Sequence, residues 1–494
     1  MSTAALSPCD LNLALATAAR PCRHPTATLA ATILGSGLAF LDGSVMNVAL
    51  PALDRDLHPG PDGLAWLINA YLLTLTALIL LGGAAGDHYG RRRLFLAGIG
   101  LFLAASLVCA AAPTLPVVLA GRVVQGIGAA MLMPNSLALL GAGFDDEAKG
   151  RAIGTWAGAG ALAGAIGPLV GGWLVDAIGW RTIFLLNLPV GLAAAWIAWR
   201  FVPESRDSRV GARLDLPGAL LGAVSLALCT WALTAAAKPG GDEASLIGAG
   251  VVGFGLLVAF GWLELERGEN ALMPLFLVRN STFLGVTLLT LLLYGALGGL
   301  VVLLPFVLIS TEGYSAVQAG AAMLPVPILI GVGSRLMGRI AMRIGSRLPM
   351  GLGALIVAIG LALYLRVGVA DASYWGEVLP ATLLVALGMA VCVAPLTTTV
   401  MSSVDADHVG AASGFNSAVA RLGGLIATAL LGFVFAEQGS RAALLASVHL
   451  AALVGAGLAA LAAVSAFFLV HNVPARRPRV DEVIRGDDTS GPIP

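Results

Sequence analysis

Apolar runs of about twenty residues, each long enough to cross a bilayer at roughly 1.5 Å of helical rise per residue, recur along the whole chain. No other feature limits the fold as much. Inside hydrocarbon, backbone N–H and C=O groups must be satisfied within the protein, so such runs have to be helices. Hydropathy gives about fourteen of them, at 27–52, 63–86, 93–112, 115–140, 151–176, 181–201, 215–237, 245–265, 282–309, 315–337, 348–367, 376–402, 408–436 and 446–470. Only 11% of the 494 residues are charged, against roughly 25% in a soluble domain. The expected class is an all-α polytopic membrane protein, with the lipid bilayer as its solvent.

The 28 Lys and Arg residues orient this map. With the N-terminus in the cytoplasm, roughly 20 fall in cytoplasmic segments and about five in outer loops. Arg122, Arg335 and Arg421 fall within spans. Such a bias predicts an even number of spans and both termini in the cytoplasm. The first 25 residues lack a basic stretch leading directly into a short apolar core, and read as a cytoplasmic tail rather than a cleaved signal. A turn signal, Lys238 to Glu243, divides the seventh and eighth spans. Gly83 to Arg92 and Gly338 to Arg347 form a weak repeat in which Met342 replaces Asp87. Two related halves around an insert are expected from it. The parts are a tail at 1–26, a six-helix bundle at 27–201, a linker with two inserted helices at 202–280, a second six-helix bundle at 281–471 and a tail at 472–494.

Several function classes recede. A formal net charge of +0 offers no sign of a nucleic-acid partner. Cys9, Cys22, Cys109, Cys229 and Cys392 have no metal-type or redox-type spacing. Of the six histidines only His449 falls within a span, too few for an intramembrane metal enzyme. There is no phosphate-binding P-loop and no soluble stretch to hold an ATPase, so energised transport here draws on an ion gradient or a partner.

The chemistry concentrates in a few polar residues. Asp42 is the only acidic residue in the first apolar run, and a carboxylate deep in a membrane helix costs about 2.5–3.5 kcal/mol on insertion scales. It lies ~16 Å from the outer end of its span, and Arg122 lies ~10 Å into the fourth span from the same side. Two readings stay open: a carboxylate that loads and releases a proton beside a charge-setting arginine, or a static ion pair that fixes two helices. Asn47 and Gln125 either complete a polar cluster or bond between helices. The loop with Asp87, Gly90, Arg91 and Arg92 is a topology signal or, with Asp87 at a neighbouring helix terminus, a conformational latch. Gly167, Pro168, Gly171 and Gly172 in the fifth span make a packing seam or a flexible contact between the halves. Arg335 snorkels from a helix end, whereas Arg421 is deeper and is the better pathway candidate, with Asn416 near it in sequence. Trp66 and Tyr71 are cavity-lining candidates or ordinary packing and interface residues.

Leu41-Asp-Gly-Ser-Val-Met-Asn-Val-Ala-Leu-Pro51, Trp66 to Leu72, Gly83 to Arg92, Arg122 to Ala130, Gly167 to Gly172 and Trp180 to Gly191 together resemble the major facilitator superfamily. Within it they are similar to the fourteen-span drug:proton antiporters of the EmrB/QacA type. Ser44, Ala85, His88 and Ala163 depart from the common pattern. The C-terminal half matches more loosely, through Gly313 to Ser315, Gln318 to Gly320, Gly410 to Asn416 and Arg421 to Gly424. The resemblance implies export of hydrophobic or amphiphilic small molecules, drugs and antibiotics among them, driven by inward proton flow through alternating access. Asp42 and Arg122 are then central to coupling, the proton is the coupling ion, and no other cofactor is implied. It further implies a cell (inner) membrane location. Whether a periplasmic adaptor protein takes part stays open, as does a same-fold transporter of one dedicated metabolite.

Overall fold

The computed structural model of the protein describes residues 24–144, 146–206, 216–235, 243–268, 271, 275–368, 374–404, 409–436 and 441–471. The expected tails, apart from 24–26, and the turn at 238–242 lie outside the described residues. Among the described residues, fourteen helical stretches are long and apolar enough to cross a membrane: Pro25–Leu57, Gly63–Tyr89, Arg91–Ala111, Leu115–Gly143, Gly158–Ala177, Thr182–Phe201, Pro217–Ala235, Ala244–Arg267, Ser281–Ser310, Ala316–Ala341, Arg347–Arg366, Tyr374–Ser402, Gly414–Leu431 and Arg441–Leu469. In chain order these are spans one to fourteen, and their ends agree with the hydropathy map to within seven residues, the largest difference being at the start of the fifth. Two are interrupted. The sixth is Thr182–Leu185 followed by Asn187–Phe201, and the tenth is Ala316–Ala322 followed by Pro325–Ile344. Pro325 and Pro327 have no N–H to give to the preceding turn, which accounts for the break in the tenth. The fifth helix, Asp146–Ala177, continues through Pro168.

Lipid tails are as apolar as leucine, so helices in a bilayer associate largely through close packing of small residues. Gly98 of the third span and Gly128 of the fourth face each other, and a Cβ on either would come within 2.8 Å of the other's carbonyl oxygen. The eleventh and twelfth spans cross in the same way: a Cβ on Gly353 would lie 2.7 Å from the Gly388 oxygen, and one on Gly388 2.5 Å from the Gly353 oxygen. A second correspondence lies at one end of the molecule. Asp56, ending the first span, pairs with Arg181 at the start of the sixth (2.9 Å), and Glu312, after the ninth, pairs with Arg441 at the start of the fourteenth (3.0 Å). At the opposite end, Gly90 and Gly345 terminate the second and tenth helices with φ of 111° and 85°, a region that favours glycine.

The inserted spans occupy unlike environments. Six per cent of the eighth span's apolar window is buried, against 61% for the second; the eighth packs mainly on the seventh and shows most of its surface to lipid. The seventh is tied into the interface between the halves. Asn69 of the second span donates to Thr234 of the seventh (3.4 Å) and accepts from Thr428 of the thirteenth (2.6 Å).

Candidate functional site

Five spans of the N-terminal half converge on Asp42. Arg122 Nη1 donates to its Oδ2 at 2.5 Å. Oδ1 accepts from Gln125 Nε2 at 3.3 Å and from Asn187 Nδ2 at 3.1 Å. Arg122 and Gln125 share a face of the fourth span because they are three residues apart, and Arg122 Nη1 also reaches Gln125 Oε1 at 2.9 Å. The guanidinium Nε donates to the Leu67 carbonyl of the second span (3.1 Å), and the group lies 4.4 Å over the Tyr71 ring. Tyr71 donates its hydroxyl to Ala39 O on the first span (3.2 Å). Ser106 of the third span accepts from Gln125 and Asn187 and passes its own proton to Phe102 O.

The cluster is closed to solvent in this state. Asp42 is 5% exposed, Arg122 1%, and Gln125, Asn187 and Ser106 0%. A buried ion pair gains little net stability, because desolvating both charges offsets their attraction, but breaking it is expensive. The donors that converge on Asp42 therefore hold a charge the fold would not otherwise tolerate. One acceptor has no donor: Asn187 Oδ1 is buried without a hydrogen-bond partner.

Asn47 does not join this cluster. Five residues beyond Asp42, it points about 140° away around the helix. With Ser44 it lines a mainly apolar cavity of about 280 Å³ between the halves, bounded also by Pro168, Pro305, Met323 and Pro327. The first span thus carries the polar cluster on one face and this cavity on another. Pro168 belongs to the cavity wall, while its neighbouring glycines set helix spacing. A side chain at Gly167 would collide with Ser44 Oγ, and one at Gly171 with Val45. Gly172 serves the contact between halves, since a Cβ there would lie 2.5 Å from the Ala316 carbonyl of the tenth span. Asp176 adds a cap across the same contact, its carboxylate accepting from Ala316 N (3.2 Å) and Val317 N (3.0 Å).

The remaining candidates are separate. Arg421 reaches from the thirteenth span to Met133 Sδ of the fourth at 3.2 Å. Asn416 accepts from Thr290 at 2.8 Å. Trp66 is half-buried in the second span. In the loop, Asp87 near the end of the second helix pairs at 2.7 Å with the side chain of Arg91, the first residue of the third helix. Glu204 takes the backbone of that terminus, accepting from Arg92 N (2.9 Å) and Arg93 N (3.2 Å), while Arg92 Nη1 donates to Val202 O. Gly90 is required here, as a Cβ would meet the Glu204 carboxylate at 2.9 Å.

Sequence reasoning gave no role to Ser106, Asn187, Asp176 or Glu204. Asn187 had a signal, a lone amide in the Trp180 to Gly191 stretch. Ser106 had none, since a serine in an apolar helix ordinarily bonds back to its own turn. Among the described residues no group of three or more His, Cys, Asp or Glu is placed to hold a metal ion.

Residues 32–428 match the Major Facilitator Superfamily model. The chain is 35% identical over 413 residues to the multidrug resistance protein Stp of Mycobacterium tuberculosis, covering 83% of this chain and 75% of that one. It is 30% identical over 422 residues to the tetracenomycin C resistance and export protein of Streptomyces glaucescens, covering 84% and 77%. Among solved structures, the partially occluded inward-open xylose transporter XylE from E. coli superimposes with a TM-score of 0.64 at 15% identity, covering 92% of this chain and 99% of that one. That likeness establishes the fold.

Proposed function

The chain belongs to the Major Facilitator Superfamily, and on that premise we propose that it is a proton-coupled antiporter that exports hydrophobic or amphiphilic small molecules by alternating access. The observation that carries the reading is the carboxylate of Asp42, sealed among Arg122, Gln125 and Asn187 in the middle of a membrane-spanning bundle. Intramembrane ionisable groups commonly mark proton and substrate pathways. Protonation of Asp42 cancels its attraction for Arg122, which then keeps Gln125, the Leu67 carbonyl and the Tyr71 ring. The new O–H needs an acceptor, and Asn187 Oδ1, which lacks a donor in the present state, supplies one by rotation of its amide. One proton thereby rearranges contacts among the first, fourth and sixth spans.

The substrate enters the apolar cavity lined by Ser44 and Asn47, on the same helix as Asp42. Proton and substrate sites on different faces of one helix support coupling by movement of that helix and not by direct contact. The names of the resistance and export relatives support drugs or antibiotics as cargo. The charge distribution supports placement in the cell membrane with both termini in the cytoplasm.

Purified protein in proteoliposomes tests this, with a labelled lipophilic compound and an imposed pH gradient. Transport that follows the gradient and collapses with a protonophore is the expected result. Transport indifferent to the gradient would refute proton coupling, and no transport of any compound in a broad panel would refute export.

A further inference from the structure

Arg421 sits near the middle of the thirteenth span, half-buried where the two halves meet. Among the described residues its hydrogen bond is to the thioether of Met133, a weak acceptor for a group with five N–H donors. Among the described residues no carboxylate pairs with it. Its electrostatic neighbours are the phenols of Tyr71 and Tyr294, neither of which balances its charge. Arg122 differs in every respect: it has a carboxylate, an amide and a backbone carbonyl as partners. Since Arg122 and Asp42 cancel, Arg421 leaves this interface with a net positive charge inside a low-dielectric bundle. A cation so far into a span without a counter-ion is costly to the fold, and its side chain, only half-buried, leaves room for an anionic group to approach.

We infer that Arg421, outside the lining of the Ser44 and Asn47 cavity, is a second recognition point between the halves that takes an anionic group on the substrate, so that the cargo is an apolar body carrying one ionised acid, a carboxylate, sulfonate or phenolate. The inference rests on the export reading above and narrows it. A planar guanidinium offers two parallel N–H donors to such a group, giving charge-assisted hydrogen bonds stronger than neutral ones. A cationic amphiphile would meet an unscreened like charge. Export of an anion against import of a proton also carries positive charge inward on both legs. An inside-negative potential would therefore add to the pH gradient in driving it.

The test measures binding to full-length protein in nanodiscs, using radiolabelled acid, amide and amine forms built on shared naphthyl, biphenyl and anthracenyl bodies. 1-Naphthaleneacetate, 1-naphthaleneacetamide and 2-(1-naphthyl)ethylamine form one such set. For at least one body the acid is expected to bind about tenfold more tightly than the amide, a difference of about 1.4 kcal/mol. Arg421→Gln should bring the two within about twofold, and Arg421→Lys should keep a preference for the acid. The lysine variant also guards against misfolding of the glutamine one. A panel in which no acid outbinds its amide, including one in which nothing binds, overturns the assignment. Gradient-driven transport without acid preference would sink this inference alone. Acid-selective, Arg421-dependent binding without transport would sink the export reading alone.

Discussion

The two halves of the molecule share their packing but not their charge. Each crosses two helices on a reciprocal glycine pair, Gly98 with Gly128 and Gly353 with Gly388, and each closes one end with an acid–arginine pair. Registered on those features, the halves diverge where the chemistry lies. Asp42 stands fourteen residues before Asp56, and the residue fourteen before Glu312 is Gly298, packed against Gly424 of the thirteenth span. Arg122 stands six residues before Gly128, and the residue six before Gly388 is Thr382, hydrogen-bonded to Tyr364 at 2.8 Å. A neutral pair thus occupies the depth at which the other half holds an ion pair. Glycine contacts constrain both halves alike because they set helix spacing. The buried acid–arginine pair within the membrane is confined to one half because one titratable site is enough to couple a cycle, and each further buried pair adds desolvation cost.

Substitutions at corresponding positions break or sharpen that contrast. Arg122→Leu should have the largest effect. It strips the counter-charge from Asp42, should cost about 3–5 kcal/mol where the carboxylate stays charged, and should change the pH profile of transport. Thermal unfolding and a transport pH profile measure the two effects, and an unshifted profile would mean that the pair has no part in coupling. Gly172→Val should come next. Its side chain pushes on the Ala316 carbonyl across the halves, so transport should fall roughly tenfold while Asp42 chemistry is untouched. Equal transport rates for this variant and wild type would show that the contact tolerates separation. Thr382→Val should be smallest, costing about 0.5–1.5 kcal/mol for the lost hydrogen bond with Tyr364 and leaving the pH profile unmoved. A shifted profile there would show that the C-terminal half also carries coupling.

Much of this was legible in the sequence. Spans of ~20 apolar residues can only be helices in lipid, so the fourteen-helix fold follows from length and hydropathy. The depth of Asp42 and Arg122 was enough to bring them together. Contacts set by which way a helix face turns after folding were not readable. Asn47 looked like a partner of Asp42 by proximity along the chain, yet its rotation about the first span carries it to the cavity. Asp87 was readable as a topology signal or as a contact to a helix terminus, and it does meet the side chain of Arg91 there, but Glu204, over a hundred residues away, accepts from the backbone N–H groups because the sixth span returns beside the third. Ser106 gave no signal, since its role exists only where the fourth and sixth spans meet it.

The central claim is that Asp42 carries the coupled proton. Its most direct test is the number of protons exchanged when a transported compound binds to protein in nanodiscs, read with a pH indicator in weak buffer for wild type and Asp42→Asn. The account predicts a measurable proton exchange in wild type and none in the variant, with the variant still binding the compound through the Asn47 cavity. The same proton count in both proteins would contradict it.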